Sequence, residues 1–380
     1  MPQRKSGHVT MLDVARASGF SVSTVSIVLS DAPLAQNVAA TTREHIRAMA
    51  QQLGYHPDAH ARSLRRRSTQ TIGVLAFDLS DPFCVPIMRG IQLGLQPADY
   101  LPLVMDAQTQ RKLFDDYLNL LLERRAEGVI VIASWVFEET NLLADVRKNN
   151  VPIIIVGRDL TARGITSILV DNEDGGALAM THLRDLGHRQ IAVILGPPEM
   201  CDSEPRWRGI QRVAREAGIH LDPDLVLELP GLANAQPSSH SSTQPSSQSG
   251  AQAAPQAAPA PGPESGFDEG LRCAQQMLST GKPFTAVLAF DDLTALGVVR
   301  GLTEAGLRVP QDVSVMGFDD VLPAKVSTPA ITTIRQPLHE MGLHAAEQAL
   351  LAIKRTTREE KPNLLKANPE LIQRASTIRI

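Results

Sequence analysis

Aromatic side chains are scarce, at 4% of 380 residues, and there are only three cysteines, Cys84, Cys201 and Cys273. The cysteines lie far apart with no CxxC spacing, which argues against a disulfide scaffold and a structural zinc site. Long apolar runs are missing as well. Val129 to Ala133 and Ile153 to Val156 are among the longest; they suit buried strands and fall far short of the roughly 20 residues of a spanning helix. The opening, Met1 to His8, is polar and basic, with no apolar stretch of signal-peptide length behind it. Bulk charge is lacking too: Lys+Arg 37 against Asp+Glu 41 gives a formal −4, which does not advertise a nucleic-acid partner.

Enzyme signatures are equally thin. Ser279-Thr-Gly-Lys282 has the wrong order for a phosphate-binding loop, and no GxGxxG follows Ile72–Phe77. His339-Glu-Met-Gly-Leu-His344 has one residue too many for a zinc-protease helix, and His56 and His60 lack a third ligand. No Ser/His/Asp or Cys/His set stands in a recognisable context. The expectation is a non-enzymatic cytoplasmic protein with no metal, no cofactor and no membrane segment. Composition is otherwise ordinary, 43% hydrophobic and 21% charged, on a chain long enough for more than one domain.

What is present becomes visible by position. Residues 1–70 carry nine basic and four acidic side chains, a net +5, which leaves −9 for residues 71–380. A small basic head on a larger acidic body suggests a DNA-binding module, although a basic tail has the same arithmetic. At 233–262, 25 of 30 residues are Ala, Pro, Ser or Gln, and none is Val, Ile, Leu, Met or aromatic. Such a segment has nothing to bury and reads as a disordered insert within a folded unit, since apolar periodicity resumes on both sides.

In the head, Thr10-Met-Leu-Asp13 fits a capping box, and Leu12, Val14 and Ala15 supply a short helix's apolar face. Ser18-Gly19-Phe20 forms a tight turn. Ser21 caps a second helix in which Val22, Val25 and Leu29 recur on one face, leaving Ser23, Thr24 and Ser26 on the other. Two short helices about a Gly-containing turn make a helix-turn-helix. Thr41 or Thr42 caps a third helix striped by Ile46, Met49 and Leu53 and ended by Gly54. Small hydroxyls on the second helix suit close approach to base edges in a major groove. A plain three-helix bundle with a soluble face is the alternative at this point.

Tyr55-His-Pro57-Asp-Ala-His-Ala61-Arg62-Ser-Leu64-Arg65, with Val9-Thr-Met-Leu-Asp-Val-Ala15 and Val22-Ser-Thr-Val-Ser26, resembles the head and hinge of the LacI/GalR family of bacterial transcriptional regulators. The resemblance implies a hinge that becomes helical on operator DNA and inserts its leucine, here Leu64 with Ala61 and Arg65 beside it, into a minor-groove step. An apolar wedge of this kind partly unstacks the step and bends the duplex. It further implies DNA contacts from Thr10, Ser21, Val22, Ser23, Thr24, Ser26, Thr42 and Tyr55. Ile27 stands where the family usually has Arg, which removes one phosphate or base contact.

From residue 71 strand and helix patterns alternate. Ile72–Phe77, Leu101–Met105, Val129–Ala133 and Ile153–Val156 form one series of strands. Ile168–Val170, Ile191–Leu195, Leu225–Leu229, Ala286–Ala289 and Val313–Gly317 form a second. The alternation predicts two parallel sheets with helices on both faces and a ligand at the carboxyl ends of their strands. The resemblance continues through Asp81-Pro-Phe83, Val170-Asp-Asn172, Leu186-Gly-His188-Arg189, Arg206-x-x-Gly209, Asp292-x-x-Ala-Leu-Gly297, Gly317-Phe-Asp-Asp320, Thr332-Thr-Ile-x-Gln336 and Arg374-x-Ser-Thr377.

That resemblance implies an all-α helix-turn-helix head on a two-lobed periplasmic-binding-protein-like α/β core. The expected domains are the head at 1–56, a hinge at 57–70 and an effector-binding, dimerising core at 71–380. Within the core, an N-subdomain takes about 71–166 plus 299–328, and a C-subdomain about 167–298 plus 329–380, interrupted by the insert at 233–262. Arg206 and Asp292 fall at family positions that hold an effector, with Phe83 as an apolar wall and Trp135 as a further candidate. Asp291 replaces the usual Asn beside Asp292, making the pocket mouth more acidic. The implied protein is a nucleoid-associated homodimeric repressor binding pseudo-palindromic double-stranded operator DNA, controlled by a sugar or purine-like small molecule. The alternatives are a solute receptor on the same core, or a DNA-binding protein without effector control.

Overall fold

The computed structural model describes residues 9–30, 33–55, 68–123, 126–133, 151–231, 266–354 and 362–380. Most of the expected hinge, the insert at 233–262, and the candidates Ala61, Leu64, Arg65 and Trp135 lie outside them. The chain divides into two units, Met1–Gln70 and Thr71–Ile380.

The first unit holds three helices, α1 (Met11–Ser18), α2 (Val22–Leu29) and α3 (Ala40–Gln52). The capping box forms: Thr10 N–H donates to Asp13 Oδ2 at 2.9 Å, and Asp13 N–H to Thr10 Oγ1 at 3.4 Å. Gly19 ends α1 at φ 72°, a left-handed backbone that glycine adopts without a Cβ penalty. Ser21 Oγ accepts Thr24 N–H at 3.1 Å and so opens α2. Val14, Ala15, Val25, Val28, Ile46 and Ala50 form the core.

Three expectations for this unit are corrected. Leu12 and Val22 are 47% and 41% exposed, and the buried pair on α2 is Val25 and Val28. Val25 is in the core as expected, while Val22, at the exposed start of the helix, is not, and Val28 joins Val25 there. The residue before α3 is Ala39 and makes no side-chain cap, so Thr41 and Thr42 sit within the first turn. Ser26, expected on the open face, is buried beside Val25.

The second unit begins with β1 (Thr71–Ala76), α4 (Cys84–Leu95), β2 (Leu101–Asp106), α5 (Arg111–Glu123), β3 (Gly128–Ile132), β4 (Ile153–Val156) and β5 (Thr166–Val170). It continues with α6 (Asn172–Asp185), β6 (Ile191–Leu195), α7 (Ser203–Glu216), β7 (Val226–Glu228), α8 (Gly266–Ser279), β8 (Ala286–Leu288), α9 (Asp292–Glu304), β9 (Ser314–Met316), α10 (Leu322–Val326) and β10 (Thr333–Arg335). Last come α11 (Leu338–Lys354), β11 (Leu364–Ala367) and β12 (Glu370–Ile372). One parallel sheet has the order β11-β5-β4-β3-β1-β2, the other β7-β6-β8-β9, and β10 pairs antiparallel with β12.

Continuous Val/Ile runs make these strands because both faces of each sheet are covered. Alternate residues divide between the faces. In the first lobe Ile72, Val74, Ile130 and Ile132 meet α4 and α11, while Leu75, Val129 and Val131 meet α5. In the second, Ile194 and Val287 pack with α8 and α9, and Ile191, Val193 and Leu288 with α6 and α7. Each helix pair approaches through reciprocal glycines. A Cβ on Gly90 or Gly342 would lie 2.1 Å from a carbonyl of α11 or α4 respectively. Gly176 and Gly209 play the same part between α6 and α7, and Gly270 and Gly297 between α8 and α9.

The lobes are composed differently from the sequence expectation. Ile168–Val170 belongs to β5 of the first sheet, paired with β4 and β11, and does not start the second. Residues 299–328, expected in the first lobe, pack in the second, where Leu302, Val313, Val315 and Ala324 share a core with Ile194. Of 329–380, α11 and β11 return to the first lobe, burying Met341, Ala345 and Ala349 there, while β10 and β12 stay with the second. The periodicity of each segment is as read, but amphipathic helices and short apolar strands do not encode which of two similar sheets they join.

Three crossings therefore connect the lobes, after β5, after β10 and after β11. They are tied to one another: Asp171 N–H donates to Ala367 O at 2.9 Å, and Lys366 pairs with Asp171 at 3.3 Å. Arg335 joins Asp320 at 2.7 Å and Glu370 at 3.1 Å. The Arg374-x-Ser-Thr377 segment closes the second lobe, with Thr332 N–H donating to Ser376 Oγ at 2.8 Å and Thr377 bonded to His182 at 3.1 Å.

Candidate functional site

Ser21, Val22 and Ser23, in and just before the first turn of α2, are exposed, as is Thr10. Thr24, Thr42 and Tyr55 are partly buried, Tyr55 against the head's own core. The open surface of α2 is thus its N-terminal end: two serines and a valine, fixed by the Ser21 cap.

In the core, strand carboxyl ends carry the polar groups that line the space between lobes. From the first lobe, Asp81 and Phe83 follow β1, and Gly157 follows β4. From the second come the loop before α7, the start of α9 and the Asp319-Asp320 turn after β9, whose residues have φ of 109° and 62°. Cys201 Sγ, before α7, donates to Gly157 O across the lobes at 3.1 Å. Burial raises that thiol's pKa, which disfavours the reactive thiolate form.

Arg206 on α7 is 6% exposed and its guanidinium is held within the second lobe. Nε donates to Asn172 Oδ1 at 2.8 Å and Nη1 to the Phe290 carbonyl at 2.8 Å. The planar group lies between aromatic rings, 3.7 Å from the Phe318 centroid and 4.6 Å from that of Phe290. Nη2 is 3.7 Å from Asp319 and 4.0 Å from Asp202. Asp292 is 1% exposed, and both oxygens are occupied: Oδ1 accepts from Thr333 Oγ1 at 2.6 Å, Oδ2 from Val321 N–H at 2.9 Å. Burial pushes Asp292 up to about 7 despite those donors. The two residues expected to reach a ligand are each held inside the second lobe by partners of their own, and Phe83 is partly buried against the first lobe's core.

The sequence reading placed Asp291 at the pocket mouth but did not single out Asp81 or Asp319 as site residues. Burial, with Asp291 and Asp78 adding, raises Asp81 to about 7 against the opposing Phe83 N–H and Arg206. Asp319 is raised well above its ordinary value by burial, Arg206 lowering it and Asp291, Asp292 and Asp81 raising it. Asp320 behaves oppositely: burial raises it, but hydrogen bonds from Arg374 and Arg335 prevail and hold it low. Their signal in sequence was position, each standing at or just beyond the carboxyl end of a strand. Among the described residues, no single helix is long and apolar enough to cross a membrane.

A helix-turn-helix head carried by a two-lobed binding-protein-like core defines a class of DNA-binding regulators that respond to small molecules. Comparison with known proteins agrees. Residues 10–58 match the family model "Bacterial regulatory proteins, lacI family", 69–235 match "Periplasmic binding proteins and sugar binding domain of LacI family", and 180–377 match "Periplasmic binding protein-like domain". The HTH-type transcriptional repressor PurR of Erwinia tasmaniensis is 30% identical over 97% of this chain and 96% of its own length. PurR of Vibrio cholerae is 28% identical over 96% of this chain and 97% of its own. Among solved structures, the lac repressor dimer bound to operator and the anti-inducer ONPF superposes with a TM-score of 0.78 at 26% identity, covering 98% of this chain and 100% of that one. The transcriptional regulator CelR in complex with cellobiose gives a TM-score of 0.65 at 25% identity, over 97% and 100%. The chain belongs to the lacI family of bacterial regulatory proteins, and is a DNA-binding transcriptional regulator with a small-molecule-binding core. These relatives are repressors, not enzymes.

Proposed function

We propose that the protein is a cytoplasmic, nucleoid-associated repressor without enzymatic activity, working as a homodimer on pseudo-palindromic double-stranded operator DNA. The observation that carries this reading is the projecting N-terminal turn of α2. The capped turn holds Ser21, Val22 and Ser23 clear of the core. Hydroxyls there suit phosphates and base edges, and an exposed valine suits a thymine methyl. Thr10, Thr24, Thr42 and Tyr55 support the same face, and Ser26 acts by packing α2 in place. Ala61, Leu64 and Arg65 supply the minor-groove wedge of the hinge at 57–70.

A dimer is favoured by the first lobe's open edge. Strand β2 exposes Leu101, Leu103 and Val104, and α4 exposes Val85 and Leu93. Edge strands are commonly blunted with charge, and an apolar edge like this one is covered by association. The effector, a sugar or purine-like compound, occupies the space between the lobes of the core at 71–380, with Phe83 as a wall, Arg206 and Asp292 organising the floor, and Trp135 as a further candidate contact. It controls DNA affinity by binding one lobe arrangement more tightly than another.

Selection of bound sequences from a random duplex pool, with and without candidate effectors, tests this. A dyad-symmetric site with salt-dependent affinity is expected, weakened by Leu64→Ala while effector binding is kept. Enrichment of no sequence, or binding indifferent to ionic strength, refutes it.

A further inference from the structure

The side chains of α2 restrict what it can recognise, on the reading that this helix enters the major groove. Val22–Leu29 runs Val-Ser-Thr-Val-Ser-Ile-Val-Leu, with no arginine, lysine, asparagine, glutamine, aspartate or glutamate. Bidentate discrimination between bases comes from Arg or Lys on guanine and from Asn or Gln on adenine. Nothing in α2 can form such a pair. The described arginines of the head, Arg16 on α1 and Arg43 and Arg47 on α3, stand off this helix. Cations there serve phosphates, which fix register and carry no sequence.

The hydroxyls of this helix discriminate little. Ser21 Oγ accepts Thr24 N–H at 3.1 Å and lies 2.9 Å from Thr24 Oγ1, so those two hydroxyls engage each other. Ser26 is buried. Ser23 is exposed, but a lone hydroxyl both donates and accepts, so it meets any base edge without telling one from another. The apolar side chains divide more sharply. Val25 and Val28 are fully buried and Leu29 packs on the head's core. Val22 is 41% exposed, and Ile27 is half-buried yet is not among the described side chains packed on that core. At helical spacing Ser23 and Ile27 share the face turned from Val25 and Val28, and Val22 flanks it at the exposed start. Among the base edges of the major groove, the apolar feature that such side chains can meet is the C5-methyl of thymine.

We propose that α2 reads its half-site through thymine methyl groups, with Val22 and Ile27 as the specificity-determining residues and Ser23 adding a hydrogen bond that does not discriminate. The methyl stands on thymine alone, so an apolar contact at a fixed place in the groove selects both the base pair and its orientation. Affinity then comes chiefly from phosphates and sequence preference chiefly from van der Waals contact, two contributions that salt separates.

Duplexes that the full chain selects from a random pool test this when each half-site thymine is replaced in turn by deoxyuridine. Uracil keeps every hydrogen-bonding group of thymine and lacks only the methyl. A loss of roughly fourfold in affinity is expected at each contacted thymine, the worth of burying one methyl-sized group. The loss persists from about 50 to about 200 mM salt, because no phosphate contact changes. Val22→Ala removes the preference for thymine over uracil at one position and Ile27→Ala at another, while Val22→Ile retains it. The uracil series needs no variant, so it stands whatever a substitution does to folding. A half-site with no required thymine, thymines that all tolerate uracil, or a preference unchanged in both alanine variants overturns this inference and leaves the DNA-binding head standing. If no sequence is enriched, the reading of α2 as the contact helix and this inference fall together.

Discussion

Replacing Arg206 with alanine tests the electrostatic account of the second lobe directly. The guanidinium is 6% exposed, stacks between Phe290 and Phe318, and satisfies Asn172 and a main-chain carbonyl. Its removal leaves two acceptors unpaired and takes away the cation 3.7 Å from Asp319. Breaking a buried charge network from one side costs about 3–5 kcal/mol. For a unit of this size each kcal/mol lowers Tm by roughly 2–4 °C, so a fall on the order of 10 °C is expected. The loss must also depend on pH. Asp81 and Asp319 have folded pKa values above their unfolded ones, Asp81 at about 7. Their contribution to stability is full below the ordinary carboxylate range and is lost as pH rises through those folded values. Arg206 restrains that loss, so Arg206→Ala costs more at pH 8, where the carboxylates ionise, than at pH 5, where they hold protons. Thermal melting of both proteins at the two pH values reads the difference. An equal fall at pH 5 and pH 8, or an unchanged Tm with only ligand binding lost, refutes the reasoning.

Further outcomes concern other parts of the chain. Gly342→Ala places a methyl 2.1 Å from the Ile87 carbonyl and forces α4 from α11; a loss of about 1–3 kcal/mol, seen as a lower core Tm, is expected. Ser21→Ala removes the α2 cap, costs the head about 1 kcal/mol and speeds amide exchange in α2 while core melting is unchanged. His188 is fully buried, bonded to Thr285 at 2.8 Å and the Ile378 carbonyl at 3.0 Å, and burial lowers its pKa although that carbonyl opposes. Its neutral form therefore stabilises the fold fully above its ordinary value and progressively less as pH falls below it. The Tm gap between the native protein and His188→Gln should narrow between pH 7 and pH 5; a constant gap contradicts this.

The parts of the fold legible in sequence were those decided locally. The Thr10/Asp13 box, the Gly19 turn and the Ser21 cap are short-range hydrogen-bond problems, and the Val/Ile runs of β1, β3, β4 and β6 declare burial on both faces. The parts misread were decided by tertiary choice. Ile168–Val170 carries the same apolar signature whichever sheet it joins, and α9 is amphipathic whichever lobe it covers. At the candidate site, Arg206 and Asp292 were the residues the sequence singled out. Their partners were not legible, because Asn172, Phe290 and Thr333 reach them from separate elements. For another reason, Asp319 was not singled out: an acid after an apolar strand reads as an ordinary turn until packing brings Arg206 to 3.7 Å from it.

The three tied crossings also constrain how the molecule comes into being. The first lobe begins at β1 yet lacks α11 and β11 until residue 367 has been made, and the second lacks β12 and its closing segment until the last residues. Neither lobe is a continuous stretch of chain, so neither can finish before the elements at 338–372 have been made. Both wait on that same stretch, which supplies α11 and β11 to the first lobe and β12 to the second. A premature stop in that stretch deprives both lobes at once, and no single cut in the coding sequence yields one lobe whole.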